Sequence, residues 1–349
     1  SSDTLWDLAA AEVNSRESED DYGERNVAVE RTVFLMGSKA GGKTSILLKC
    51  LDRDEPSKPT LALEYTFGRR ARGHNTPKDI AHIWELGGGT FLSDLVQIPI
   101  TSADLKFLSV ILIVDLSKPN ELWGTTEKLL QVTQAHLEKA FSMAQKAQTA
   151  KPAATHQTAT QSAARVLPAD YPDRELISAF PVPLLIVGSK YDIFQEFDSD
   201  KKKLIAQMLR FVAHSYAASL IFTILFSCVF MACYSFFSLF SNRKTVSMDL
   251  TKPLIIPAGS DSFSQIGSPC AADVDIASLH ARNPKDLWRK VCGCVFPPEK
   301  EHQQDLKDPA KDPQYSEPQI DAMRAQKDQE LEQYKRNAAK TWQGLDLET

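Results

Sequence analysis

The segment Gly37-Ser38-Lys39-Ala40-Gly41-Gly42-Lys43-Thr44 limits what this chain can fold into more than any other. It follows the apolar run Thr32 to Met36 and precedes the helix-forming run Ser45 to Leu48. Strand, glycine-rich loop and helix thus come in the order a phosphate-binding loop requires. Glycines let successive backbone N–H groups turn inward as an anion nest. The new helix aims its positive dipole end at the same point. Gly37, Ser38, Lys39, Ala40, Gly41, Gly42, Lys43, Thr44 and Ser45 are therefore the expected phosphate contacts. Lys43 would reach the β- and γ-phosphates, and the Thr44 hydroxyl would hold Mg²⁺.

The rest of the chain alternates in a matching way. Leu61 to Phe67 and Asp79 to Leu86 read as two strands joined by a basic turn, hence an antiparallel hairpin beside the loop's own strand. Buried runs follow at Leu108 to Val114 and Pro183 to Gly188, with shorter strands at Ser219 to Phe222 and Pro253 to Pro257. Helical patterns between them (Glu121 to about Ala147, and Ser199 as cap of a helix to about Tyr216) predict parallel pairing for the remaining strands. This is an α/β fold, doubly wound around a mostly parallel sheet, with ligand at the carboxyl ends of the strands. An N-terminal helix and linker occupy 1–25, the sheet domain 26–258 and a C-terminal helical extension 259–349. Residues 149–165 are too poor in large apolar groups to fold alone and are expected to be a disordered insertion.

Two further motifs fall at strand ends. Trp84-Glu85-Leu86-Gly87-Gly88-Gly89 stands where nucleotide switches carry D-x-x-G, with Glu85 for the acid and Gly88 for the glycine that senses the γ-phosphate. Ser189-Lys190-Tyr191-Asp192 stands at the place of N-K-x-D. An Asp192 carboxylate there accepts both N–H donors of a guanine edge, while the Lys190 stem packs along the base. Thr60 is the candidate switch threonine, so Thr44, Thr60 and Glu85 form the expected Mg²⁺ set. Three motifs in this order define a Ras-like P-loop GTPase fold with GTP or GDP and Mg²⁺ as expected ligands. Hydrolysis is another matter. The residue after the switch glycine orients the attacking water when it is Gln, and here it is Gly89. Ser189 likewise lacks the amide that braces the loop.

Composition narrows the partners. The 349 residues are 43% hydrophobic and carry a net charge of −5, with no basic surplus for neutralising phosphates, so no nucleic-acid partner is expected. Six cysteines without paired zinc spacing suit a reduced, intracellular protein, with Cys50 and Cys270 standing alone. No secretory signal is expected.

Longer strings carry a more specific likeness. They include Cys-Leu-Asp-Arg-Asp-Glu-Pro (50–56), Pro-Thr-Leu-Ala-Leu-Glu-Tyr-Thr-Phe-Gly-Arg-Arg (59–70), Val-Asp-Leu-Ser-Lys-Pro-Asn (114–120), Asp-Ser-Phe-Ser-Gln-Ile-Gly (261–267) and Lys-Asp-Pro-Ala-Lys-Asp-Pro-Gln-Tyr (307–315). With the three motifs, they resemble the dynein light intermediate chain family over nearly the whole chain, and within it the chains of cytoplasmic dynein 2. The resemblance implies a non-catalytic subunit on the dynein 2 heavy-chain tail, with other dynein 2 subunits and the intraflagellar transport machinery as partners. It places the chain in cytoplasm, cytoskeleton and cilium (basal body and axoneme). The alternative is a nucleotide-switched small GTPase regulating ciliary or vesicle trafficking.

One stretch departs from that family. No charge occurs from Ala217 to Ser241, and the apolar part from Ile224 to Ser241 replaces a charged amphipathic helix. The length would span a bilayer, but a spanning helix would put the sheet domain and the tail on opposite sides of a membrane. An apolar core helix is a second reading. A variant or wrongly joined segment in an ordinary subunit is preferred, and membrane insertion is not expected. Downstream, Asn283 to Cys294 predicts a helix with Leu287, Trp288 and Val291 on one face. Ser316 and Gln319 form a capping-box signature, opening a helix over 317–342. Ile320, Met323, Leu331, Tyr334 and Trp342 line a narrow stripe on it, suited to a partner's groove or to the chain's own sheet domain.

Overall fold

The computed structural model describes residues 30–70, 79–101, 105–149, 165–223, 246–269, 274–298 and 317–345. The expectations for the N-terminal helix, the 149–165 insertion beyond Thr149, the apolar segment 224–241 and the Ser316 cap lie outside them. So does the side chain of Trp342.

The strands are β1 (Glu30–Gly37), β2 (Leu63–Arg70), β3 (Asp79–Leu86), β4 (Leu108–Asp115), β5 (Leu184–Ser189), β6 (Ser219–Phe222) and β7 (Ile255–Ile256). They form one sheet in the order β2-β3-β1-β4-β5-β6-β7. β3, β1, β4, β5 and β6 run parallel, while β2 pairs antiparallel with β3 as the hairpin pattern predicts. β7 also pairs antiparallel, with β6. The expectation of parallel pairing fails there, since Ile255 and Ile256 run against Ile221 and Leu220 in the opposite direction.

The helices are α1 (Lys43–Cys50), α2 (Pro119–Thr149), α3 (Tyr191–Gln195), α4 (Ser199–Ser215), α5 (Phe263–Ile266), α6 (Pro284–Val295) and α7 (Pro318–Leu345). β1 is apolar without alternation because both its faces are covered, as in a parallel sheet. Phe34 and Met36 enter the main core with Leu129, Leu130 and Leu137 of α2 and Leu204, Met208 and Leu209 of α4. Val33 and Leu35 face the other way, onto Ile46 and Leu47 of α1. Among the described residues no helix is long and apolar enough to cross a membrane.

Three local readings change. Asp198, not Ser199, occupies the N-cap of α4, and Ser199 is its first helical residue. Cys50 is disulfide-bonded rather than alone. The compact unit runs through Pro298, so a boundary at 258 falls inside it. Trp288, Val291 and Cys292 of α6, with Ile266 of α5, belong to the main core, and Trp288 stacks on Phe211 of α4 at 5.6 Å between centroids. The sequence from 257 onward reaches α4 through polar groups. Arg210 forks onto Asp261 with both contacts at 2.8 Å. The Asp173 carboxylate holds Nε2 of buried His214 at 2.8 Å and accepts the Phe263 N–H at 2.7 Å. Asn283 caps α6 by accepting the Asp286 N–H at 2.8 Å, with Pro284 in the first turn.

The second unit, residues 299–349, contains α7. Ile320, Met323, Leu331 and Tyr334 are exposed along it, and Glu332 pairs with Arg336 at 3.1 Å.

Candidate functional site: the phosphate loop and its two ends

The loop between β1 and α1 is built by close backbone contact. A Cβ on Gly37 would sit 1.9 Å from the Ile113 carbonyl oxygen of β4, so only glycine fits. The Ser38 N–H donates to that same carbonyl at 2.9 Å. Ala40 (φ 56°) and Gly42 (φ 82°) both adopt left-handed backbone, which folds the loop over the start of α1. Ser38 is buried, and its Oγ accepts the Asp115 N–H at 3.2 Å, linking the loop to the end of β4.

Lys43 is buried, its Nζ donating to the Ser38 carbonyl at 2.8 Å, with Gly37 O at 3.4 Å. Burial pushes its pKa below the ordinary lysine value, while Glu85 works in the opposite direction. Beside it, three elements bring oxygens together. Thr44 Oγ1 donates to Glu85 Oε1 at 2.7 Å, Thr60 Oγ1 donates to the same oxygen at 3.0 Å, and the two hydroxyls lie 3.2 Å apart. Glu85 is buried at the end of β3. Across the hairpin, burial and the charge of Glu85 together raise the Glu64 pKa. Two hydroxyls and a carboxylate at hydrogen-bond distance are the hard oxygen donors that Mg²⁺ takes, and the inward N–H groups of the loop suit phosphate. The residues present fit that ligand at this end, and the structure brings the expected set Thr44, Thr60 and Glu85 together.

The turn after β3 is shaped by glycine. A Cβ at Gly87 would meet the Thr60 carbonyl at 2.4 Å, and Gly88 (φ 69°) and Gly89 (φ 63°) are both left-handed. A Cβ at Gly89 would also lie 3.2 Å from the Lys39 nitrogen. A glutamine at 89 would therefore be strained and crowded, besides being absent.

The other end of the site is sparser. Ser189 is buried and its Oγ donates to the Val114 carbonyl at 3.1 Å. Lys190, left-handed at φ 57°, reaches the buried Asp115 carboxylate with Nζ. Asp192 is exposed in the first turn of α3. Asp115 was not singled out from sequence, yet it joins the two ends. Its N–H meets Ser38, one carboxylate oxygen takes Lys190, and the other takes the Ser117 N–H at 3.0 Å and Oγ at 2.6 Å. The sole sequence signal for it is its place at the end of a buried strand.

A parallel sheet with an antiparallel hairpin at one side and a G-x-x-x-x-G-K-T loop after its central strand defines a Ras-like P-loop protein. The dynein light intermediate chain family model matches residues 1–160. Cytoplasmic dynein 2 light intermediate chain 1 of Danio rerio is 60% identical over all of this chain and 99% of that protein. The Homo sapiens counterpart is 51% identical over the same shares. The crystal structure of a dynein light intermediate chain's conserved domain superposes with a TM-score of 0.50, covering 69% of this chain and 85% of that one at 15% identity, which supports the fold. The chain belongs to the dynein light intermediate chain family, on its cytoplasmic dynein 2 branch. It is a motor subunit and not an enzyme.

Proposed function

We propose that the chain binds the tail of the dynein 2 heavy chain and supports retrograde intraflagellar transport and cilium assembly, using its Ras-like domain as a docking scaffold. It would work in cytoplasm, cytoskeleton and cilium alongside the other dynein 2 subunits and the transport machinery. Full-length likeness to dynein 2 light intermediate chains supports the motor role. One observation carries the scaffold half: the Gly88-Gly89 turn, left-handed at both residues, offers no side chain to place an attacking water.

In the same reading, GTP or GDP with Mg²⁺ would lie along the loop. Backbone N–H groups of 38–45 and the Lys43 ammonium would bind phosphate, and Thr44, Thr60 and Glu85 would hold the ion. The Gly88 N–H would face the terminal phosphate, with Lys190 and Asp192 against the base. The ligand supplies charge that fixes the loop, and the chain's own residues do no chemistry on it.

The test is to purify the full chain, measure its nucleotide content and turnover, and compare heavy-chain capture by wild type and Lys43→Ala. Negligible turnover with capture retained is expected. Rapid hydrolysis, or capture that disappears in step with nucleotide, would establish the trafficking-switch alternative instead.

A further inference from the structure

β2 is the last strand on its side of the sheet, and among the described residues no strand pairs with its outer edge. Unpaired N–H and C=O groups there form a template for another strand. Among the devices that blunt natural edges are bulges and shortness, and β2 shows neither, pairing with β3 without interruption from Leu63 to Arg70.

Side chains on β2 combine exposed aromatics with charge of both signs. Tyr65 and Phe67 share one face and are 48% and 43% exposed. Tyr65 packs on Trp84 of β3 at 5.0 Å between centroids, and its hydroxyl lies 2.8 Å from His82 Nδ1. Arg69 places its guanidinium carbon 5.1 Å from the centre of the Phe67 ring. The opposite face of the strand carries Glu64, Thr66 and Gly68.

We propose that two copies of this chain join through their β2 edges, antiparallel and centred on Phe67, making one continuous sheet across a two-fold axis. In an antiparallel two-fold pair, facing residues lie on the same side of the sheet, so the axis must pass through a residue position. Centring on Phe67 sets Phe67 against the partner's Phe67, Thr66 against the partner's Gly68 and Tyr65 against the partner's Arg69. Glu64 then faces position 70, an arginine in the sequence. The strand's one acid thus meets an arginine position, and the guanidinium already lying on Phe67 gains a second ring. Centring on Thr66 instead sets Leu63 against Arg69 and Glu64 against Gly68, leaving the acid unmatched. Centring on Gly68 shortens the overlap. The strand is complementary to itself in one register, which argues for a second copy over an unrelated strand. Glu64 to Arg70 spans about 20 Å at ~3.4 Å per residue. An interface of that length lies at the small end for stable complexes, so affinity should be on the order of 10–100 μM.

Sedimentation equilibrium of the full chain from about 1 to about 200 μM tests this directly. A reversible monomer–dimer equilibrium is expected. Phe67→Asp sets two carboxylates against each other across the axis and should leave monomer throughout, and Arg69→Glu should weaken the dimer at least about tenfold. Opposed Cα atoms lie ~4.5–5.5 Å apart in such a pair, within disulfide reach. Phe67→Cys should therefore form a covalent dimer under mild oxidation, and Phe91→Cys, at the more exposed Phe91 (66%), should not. Melting by circular dichroism guards against misfolding, since the Phe67→Cys link reads the register in protein whose melt is unchanged. Monomer at every concentration would overturn the proposal. So would dimerisation indifferent to Phe67→Asp, or equal cross-linking at positions 67 and 91.

Discussion

The two ends of the candidate site differ in how much of the fold depends on them. At the phosphate end, Gly37 permits β1 to touch β4, Ser38 ties the loop to Asp115, and Thr44 and Thr60 share one oxygen of Glu85. At the base end, Asp192 is exposed and Ser189 is turned onto the Val114 carbonyl. Residues with a second, structural duty are costly to replace, because loss leaves a clash or an unsatisfied buried group. A residue exposed like Asp192, whose duty would be ligand contact alone, is freer to drift. This contrast suits a chain in which a nucleotide fold serves as a docking body.

The contrast breaks first at Gly37. Gly37→Val should cost at least about 3 kcal/mol, since its Cβ would collide with the Ile113 carbonyl and force two central strands apart. Urea unfolding measures this, and a smaller loss would show that the loop yields more easily than its contacts suggest. Glu85→Ala should cost about 1–3 kcal/mol by leaving two hydroxyls without their shared acceptor. It should also remove any Mg²⁺ dependence from nucleotide affinity, read by titration with and without the ion.

Lys43 sharpens the comparison through pH. Its folded pKa lies below the unfolded value of about 10.4. The folded chain therefore sheds this proton first, and stability gains from Lys43 as pH rises through the folded value toward 10.4. Lys43→Met should flatten that alkaline gain relative to wild type in denaturant titrations at stepped pH. An unchanged slope would mean the ammonium is better solvated than its burial implies. The smallest effect belongs to the base end. Asp192→Ala should change stability by less than about 0.5 kcal/mol while reducing any preference for guanine over adenine nucleotides.

Much of this was legible in the residues themselves. Strands such as Leu108 to Asp115 announce burial on both faces, and the loop from Gly37 to Thr44 fixes its own neighbours by strand, turn and helix. Local chemistry misled at Asp198 and Ser199, where two adjacent residues both suit a cap and only backbone geometry decides. The rest was hidden because it is non-local. Asp173 meets Phe263 ninety residues away, and Trp288 seats on Phe211, so no periodicity reveals that the core continues to Pro298. Asp115 was missed for the same reason, since its partners Ser38 and Lys190 come from opposite sides of it in sequence.

The C-terminal helix has a consequence of its own. Its 28 residues, at about 1.5 Å each, measure roughly 42 Å end to end. That exceeds the ~30 Å width of a small domain, and Ile320 and Tyr334 are spaced along it as separate exposed positions. A partner that grips one end need not crowd whatever holds the other, so a single subunit has room to bridge two neighbours.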